Sequence, residues 1–318
     1  MFVPVIAARG TGRTRLVVRR LEIATEAIER DAAGGFDRRL RTRELLVGTV
    51  LTVPSVALAE LVAEPVDFVW TDLEHGALGA ADVQPLAIAA RAARAALLVR
   101  LTHADAPGIG AILDAGAAGV VAPRVESADR AAALVERLRH PPRGTRGFAA
   151  RRGSGYGRHG SPGTRDPRDG SPGEAGAPDG PHASSALGAD PLCLVQIESP
   201  GGVEASAEIA AVDGVDALVV GCADLSHSVG QCGRLRSPVV VDAIERVQFA
   251  AAAADIPSGI AGPDDPVLLA ELAAGRSTLL VLSADVRIYA RAVDSGVAAV
   301  RRELAAREPR PADAHVGA

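Results

Sequence analysis

Lysine and asparagine are missing from this sequence: all 34 basic side chains among its 318 residues are arginine. Without lysine there is no amine for a Schiff base, no anchor for pyridoxal phosphate and no Walker lysine for a nucleotide phosphate. Without asparagine there is no N-glycosylation acceptor. Aromatic residues are scarce, at 3%, so the core has to be assembled from Ala, Val, Leu and Ile. Cys193, Cys222 and Cys232 are an odd number with no C-x-x-C pair, which gives no sign of a disulfide framework or a structural zinc site. A formal net charge of −5 is the wrong sign for a nucleic-acid partner. No run of about 18 uncharged apolar residues occurs. The opening M-F-V-P-V-I-A-A is too short for a signal-peptide core and has its arginines on the wrong side. A soluble, cytoplasmic protein that binds neither membrane nor nucleic acid is the expectation.

What the chain has is a regular alternation of apolar runs and helical patterns. Hydrophobic residues make up 48%, ample for a large core. The first 35 residues do not join the pattern and read as a loosely attached extension, and 308–318 read as a flexible tail. Between them, strands are expected at 45–53, 66–71, 96–101, 119–122, 192–197, 215–220, 256–261 and 278–282. Helices are expected at 55–63, 80–94, 107–115, 127–139, 203–211, 239–253, 266–274 and 286–306, with caps at Ser55 and Ser127. The stretch 153–189 is dominated by Gly, Pro, Ser, Arg and Asp, which cannot offset its ordering entropy by burial, and reads as a mobile insertion. Eight apolar strands alternating with helices are the signature of the α/β (β/α)8 TIM barrel, here over 36–307. A doubly wound sheet is the alternative, but no G-x-G-x-x-G follows the first strand. The glycine pairs Gly108/Gly110 and Gly153/Gly155 fall in a helix start and a loop.

In a barrel the residues at strand C-termini converge on one mouth. The second strand runs V-D-F-V-W-T-D-L-E-H-G and ends in Asp72, Glu74 and His75. Either these form an acid/base site, or the strand stops in a solvated turn. Arg100 ends the third strand, where a guanidinium would bind carboxylate or enolate oxygens; a structural ion pair is the plainer alternative. Pro123 and Arg124 follow the fourth strand. Glu198 ends the fifth strand and Asp224 follows the sixth, on neighbouring strands. Two carboxylates without a nearby lysine are costly to bury unless a cation joins them, so Mg2+ or Mn2+ is the natural occupant. The alternative is that both merely cap helices. Of the remaining histidines only His227 lies close enough to Asp224 to rival His75.

Several motifs now stand in order: F-D-R-R-L-R, D-F-V-W-T-D-L-E-H-G, L-L-V-R-L, I-L-D-A-G-A-A-G-V-V-A-P-R-V, H-P-P-R-G-T-R-G, V-Q-I-E-S-P-G-G-V and G-V-D-A-L-V-V-G-C-A-D-L-S. Together they resemble the HpcH/HpaI aldolase family of metal-dependent (class II) pyruvate aldolases. The resemblance implies a TIM barrel that cleaves or forms a 4-hydroxy-2-oxo acid, giving pyruvate and an aldehyde through a metal-bound enolate. It implies Glu198 and Asp224 as metal ligands for Mg2+ or Mn2+, with Co2+ as a further option, and Gln196 beside them. Arg100 would contact the pyruvyl oxygens. His75 would be the base, with Asp114 as its partner and Asp72 nearby, and Ala223 with Asp224 would cradle the substrate carboxylate. Relatives imply a homo-oligomer, a hexamer built on dimers that exchange the last helix. Cys222 stands where many relatives have proline, and the Gly/Pro-rich insertion lengthens the stretch after Arg146-Gly147. The rival functions are a citryl- or malyl-CoA lyase of the same superfamily and a degenerate barrel that only binds.

Overall fold

The computed structural model describes residues 32–157 and 190–307. Helix α1 (Ala32–Arg41) precedes eight strands. These are β1 (Leu46–Leu51), β2 (Phe68–Asp72), β3 (Ala96–Arg100), β4 (Gly119–Ala122), β5 (Leu192–Ile197), β6 (Ala217–Gly221), β7 (Ser258–Ala261) and β8 (Leu279–Ala284). Every neighbouring pair is parallel, and β8 returns to β1, so the sheet closes in strict sequence order. The helices between strands are α2 (Val56–Ala63), α3 (Ala80–Ala92), α4 (Ile109–Asp114), α5 (Ala128–Leu138), α6 (Pro200–Glu204), α7 (Ser206–Ala210), α8 (Cys222–Ser228), α9 (Pro238–Ala253) and α10 (Pro266–Ala273), and α11 (Asp285–Arg307) follows β8. The expected (β/α)8 TIM barrel is what the chain forms.

Ser55 and Ser127 cap α2 and α5 as expected, accepting from the backbone N–H of Leu58 and Arg130. Three details differ from expectation, the first being α1 itself, which no expected helix covers and which begins within the stretch read as an extension. The helix expected at 203–211 is two short ones, broken at Ala205. A further short helix, α8, follows β6 directly, where the sequence offered no cap residue: its N-cap is Gly221, with no side-chain hydrogen bond. The extension at 1–31, most of the insertion (158–189) and the tail at 308–318 lie outside the described residues. The described start of the insertion, 153–157, forms a 3-10 turn with Arg152. No helix among the described residues is long and apolar enough to cross a membrane.

The pleat decides which residues reach the barrel interior, because successive side chains point to opposite faces. On β3, Ala96 and Leu98 fill the barrel while Leu97 and Val99 pack under the helices. On β5, Leu192 and Leu194 face in, and Cys193, Val195 and Ile197 face out. Phe68 and Trp70 of β2 face in as well. Carried one step further along each strand, the same alternation turns Asp72, Arg100, Gln196 and Glu198 inward at the C-terminal mouth. Large and small residues complement one another inside: a Cβ on Gly48 would lie 2.5 Å from the Phe68 ring.

At the opposite end α1 plugs the barrel. Phe36 sets its ring 5.5 Å from Phe68, and Leu40 is fully buried. Arg39 and Arg41 reach Asp67 and Asp216, each at 2.7 Å, and those aspartates also accept from the backbone N–H of Val47 and Cys193. The helix is thus tied to strand starts on both sides of the barrel floor. Phe36→Ala should lower the unfolding free energy by about 3 kcal/mol, the usual scale for emptying a buried aromatic site. Urea denaturation of the two proteins measures it, and a loss under about 1 kcal/mol would mean the plug contributes little to the core.

Candidate active site

Asp72 is the last residue of β2 and almost fully buried. It accepts from Nε and Nη2 of Arg100 at 2.9 and 2.6 Å, a two-point clamp across adjacent strands. It also accepts from the backbone N–H of Glu74 and His75, at 3.0 and 3.3 Å, and so fixes the turn that carries them. Burial alone would raise this carboxyl's pKa; the Arg100 pairing and the two backbone donors outweigh it and hold the group below its ordinary value. Asp72 is therefore ionised and committed to Arg100.

Arg100 lies with its Cζ 5.9 Å from the centre of the Trp70 ring, a flat support on the barrel side. With Nε and Nη2 engaged, its remaining edge is Nη1, 3.4 Å from Glu74. Glu74 spreads its charge over three partners: Arg100, Arg124 at 3.5 Å and Nε2 of His75 at 3.7 Å. The His75 ring is half exposed at the mouth, while its backbone is pinned by Asp72. Asp114 stands apart from that group. It accepts from Nη2 of Arg146 at 3.0 Å, and no contact between Asp114 and His75 within the chain occurs among the described residues.

Across the mouth, β5 delivers Gln196 and Glu198, 3% and 4% exposed. Both carboxylate oxygens of Glu198 and the amide oxygen of Gln196 are buried without a hydrogen-bond partner among the described residues. Buried acceptors of this kind cost about 1–3 kcal/mol each when unpaired, more for a charge, so three together call for an occupant. Burial, with Asp224 and Glu74 nearby, pushes the Glu198 carboxyl from an ordinary value near 4.5 up to about 8, against the weaker pull of Arg100 and Arg124. Neither carboxylate serves as a helix cap. Ser199 caps α6, and Asp224 lies in the first turn of α8, half-buried, beside exposed Ala223.

The donor set fits a hard divalent cation. Among the described residues no group of three or more His, Cys, Asp and Glu gathers around one point, so the centre would be a two-carboxylate site completed by water and ligand oxygens. Gly221 makes room for it: a Cβ there would lie 2.5 Å from Glu198 Oε1 and 2.7 Å from Gln196 Nε2. His227 is exposed in the last turn of α8 and no contact ties it to the cluster among the described residues. Two participants carried no sequence signal beyond their position: Trp70 as the support under Arg100, and Arg124 as the second cation on Glu74.

Two outcomes follow from this geometry. The φ of Gly221 is −84°, which any residue can adopt, so Gly221→Ala adds only its methyl group. It should weaken Mn2+ binding by about tenfold or more through displaced Glu198, with little change in helix content; calorimetric titration and circular dichroism measure the two. Without a cation, the folded chain retains the Glu198 proton until about pH 8, whereas the unfolded chain releases it near 4.5. Stability in chelator should therefore fall as pH rises across that window. Glu198→Gln should remove this component, read as the difference between urea titrations of the two proteins at pH 5 and pH 8.

A profile of the HpcH/HpaI aldolase/citrate lyase family matches residues 53–262, which spans β2 to β7 and every residue of the site. A hydroxypyruvate/pyruvate aldolase of Paraburkholderia phytofirmans is 34% identical over 83% of this chain and 96% of its own length. A hydroxypyruvate/pyruvate aldolase of Delftia acidovorans is 36% identical over 73% of this chain and 79% of its own. Among solved structures, an HpcH/HpaI aldolase/citrate lyase family protein from Burkholderia cenocepacia is 31% identical, with a TM-score of 0.72 over 84% of this chain and 99% of that one. With matching profile, relatives and barrel, this chain belongs to the HpcH/HpaI aldolase/citrate lyase family.

Proposed function

We propose that this carbon–carbon lyase is a metal-dependent pyruvate aldolase, cleaving or forming a 4-hydroxy-2-oxo acid. The observation that carries the reading is the orphaned oxygen set of Glu198 and Gln196 facing the clamped Arg100 across one mouth. The pyruvate-aldolase names of the relatives support the same donor half. Glu198 and Asp224 would hold Mg2+ or Mn2+, with Co2+ as a further option, and Gln196 would lie beside it. When bound, such a cation supplies Lewis-acid polarisation of a carbonyl, a contribution of several kcal/mol.

The chain's own residues supply the rest. Ala223 and Asp224 open α8, where backbone N–H groups of the first turn have no intrahelical partner and would orient the substrate carboxylate. Arg100, fixed by Asp72 and Trp70, presents Nη1 to the 2-oxo oxygen as negative charge develops there. His75 takes the proton from the C4 hydroxyl, and Glu74 at 3.7 Å stabilises the imidazolium that results. The C3–C4 bond breaks, the aldehyde leaves, and the electron pair stays on the pyruvate fragment until C3 is protonated. No lysine is present to form an iminium electron sink, so Arg100 and a cation have to meet that charge. Asp114 would be the partner of His75 in this reading; within the single chain it accepts from Arg146.

The protein would work in the cytoplasm as a homo-oligomer, dimer-based or hexameric. Helix α11 supports the second point: Ile288, Tyr289, Val293, Val297, Val300 and Leu304 are all exposed along it. The two arms of the mechanism separate by mutation. His75→Ala should lower retro-aldol turnover by about two to four orders of magnitude, while exchange of pyruvate C3 protons in D2O falls far less. Equal loss of both activities would make His75 part of the pyruvate site, and cleavage within a few-fold of the parent would move the base elsewhere. Activity should also survive borohydride in the presence of pyruvate, since no covalent imine forms.

A further inference from the structure

Beside the candidate site lies a pocket of about 310 Å³, lined by Glu74, Thr102, His103, Pro123, Arg124 and Arg130. It shares Glu74 with the site: one oxygen of that carboxylate faces Arg100, and the other faces Arg124. The pocket therefore begins where the pyruvate half of the site ends. A substrate anchored by its 2-oxo acid end at Arg100 and Glu198 has its C4 substituent pointing out of that half, and this adjoining space is open to receive it.

Its walls are polar and their cations are weakly held. Arg124 is 62% exposed, and its one described ion pair is the 3.5 Å contact with Glu74, which also serves Arg100. Arg124 also has φ 55°, in the left-handed region that non-glycine residues seldom occupy. Among the described residues Arg130, near the start of α5, pairs only with Asp105 at 3.5 Å, an ion pair in which both side chains are exposed and which contributes little. Both side chains are exposed, and among the described residues no other acidic group pairs with either guanidinium. Glu126 also lines the pocket and would oppose an anion there, but it accepts a hydrogen bond from the Ser199 hydroxyl.

Resting on the aldolase reading above, we propose that this pocket is the subsite for the aldehyde half and that it selects an anionic tail, with Arg124 and Arg130 as specificity-determining residues. Guanidinium forks match carboxylate, sulfonate and phosphate oxygens with paired donors, and an incoming anion displaces only long, solvated contacts. His103 and Thr102 add hydrogen-bonding groups at the rim. The tail is thus recognised by charge and donor geometry, and the rest of the aldehyde chain by little else.

The test compares aldehydes of matched length with and without the charge: 4-oxobutanoate against butanal, and glyceraldehyde 3-phosphate against glyceraldehyde, each with pyruvate and Mn2+. The charged member of at least one pair should have kcat/KM higher by about tenfold or more, the scale of hydrogen bonds to a charged group, mainly through a lower acceptor KM. The pair with the larger ratio identifies the headgroup. Arg124→Gln and Arg130→Gln should each reduce that ratio several-fold. Ratios within twofold of one for both pairs in the wild-type protein overturn the subsite, as does a preference that both variants leave intact. Pyruvate C3 proton exchange in D2O keeps the two levels apart. Exchange without charge preference sinks only the subsite, whereas absent exchange sinks the aldolase reading and the subsite with it.

Discussion

A carboxylate with both oxygens buried and no donor to meet them is the constraint on which the mouth of this barrel depends. Glu198 reaches that position because β5 alternates without interruption, Leu192 and Leu194 inward and then Gln196 and Glu198 inward. In an apolar setting the group would simply stay protonated, and burial with its acidic neighbours does drive its pKa up to about 8. A divalent cation bound there would reverse that preference by supplying what the protein withholds. Gly221 on the neighbouring strand is the steric counterpart, since any side chain there would occupy the space around Glu198.

The opposite wall is built on the reverse principle. Asp72 is as deeply buried as Glu198 but is fully paired, by two guanidinium donors and two backbone N–H groups, and stays ionised. Its contacts are those of a positioning group: it sets Arg100 against Trp70 and holds the turn bearing Glu74 and His75. One face of the mouth thus offers a preorganised cation and the other a buried carboxyl whose oxygens have no partner among the described residues. Such an arrangement suits a substrate with adjacent carboxylate and carbonyl oxygens, and catalysis that relies on charge stabilisation in place of covalent attachment.

Much of this was legible in the sequence because buried parallel strands write themselves as apolar runs. The strands at 119–122 and 192–197 agree with their expected limits, and the others differ by a few residues at their ends. Period-two alternation also places Asp72, Arg100, Gln196 and Glu198 on one side without any structure. What did not follow was partnership. Nothing in D-L-E-H discloses that Asp72 clamps Arg100, and nothing in I-L-D-A-G discloses that Asp114 meets Arg146. Such pairings form between residues distant in sequence, which local patterns do not encode. Helix α8 leaves no signal in the sequence for a related reason: it is seven residues long and lacks a capping side chain.

Whether Glu198 and Asp224 receive a cation decides the chemistry of this mouth. Titrating the chelator-treated protein with Mn2+ and counting free ion by its paramagnetic resonance signal measures this without recourse to turnover. One Mn2+ per chain is predicted, with an affinity that drops by about a hundredfold or more in Asp224→Asn, as expected when a ligand to the metal is removed. Mn2+ that fails to bind the wild-type chain even in the presence of pyruvate, or that binds Asp224→Asn equally well, would contradict it.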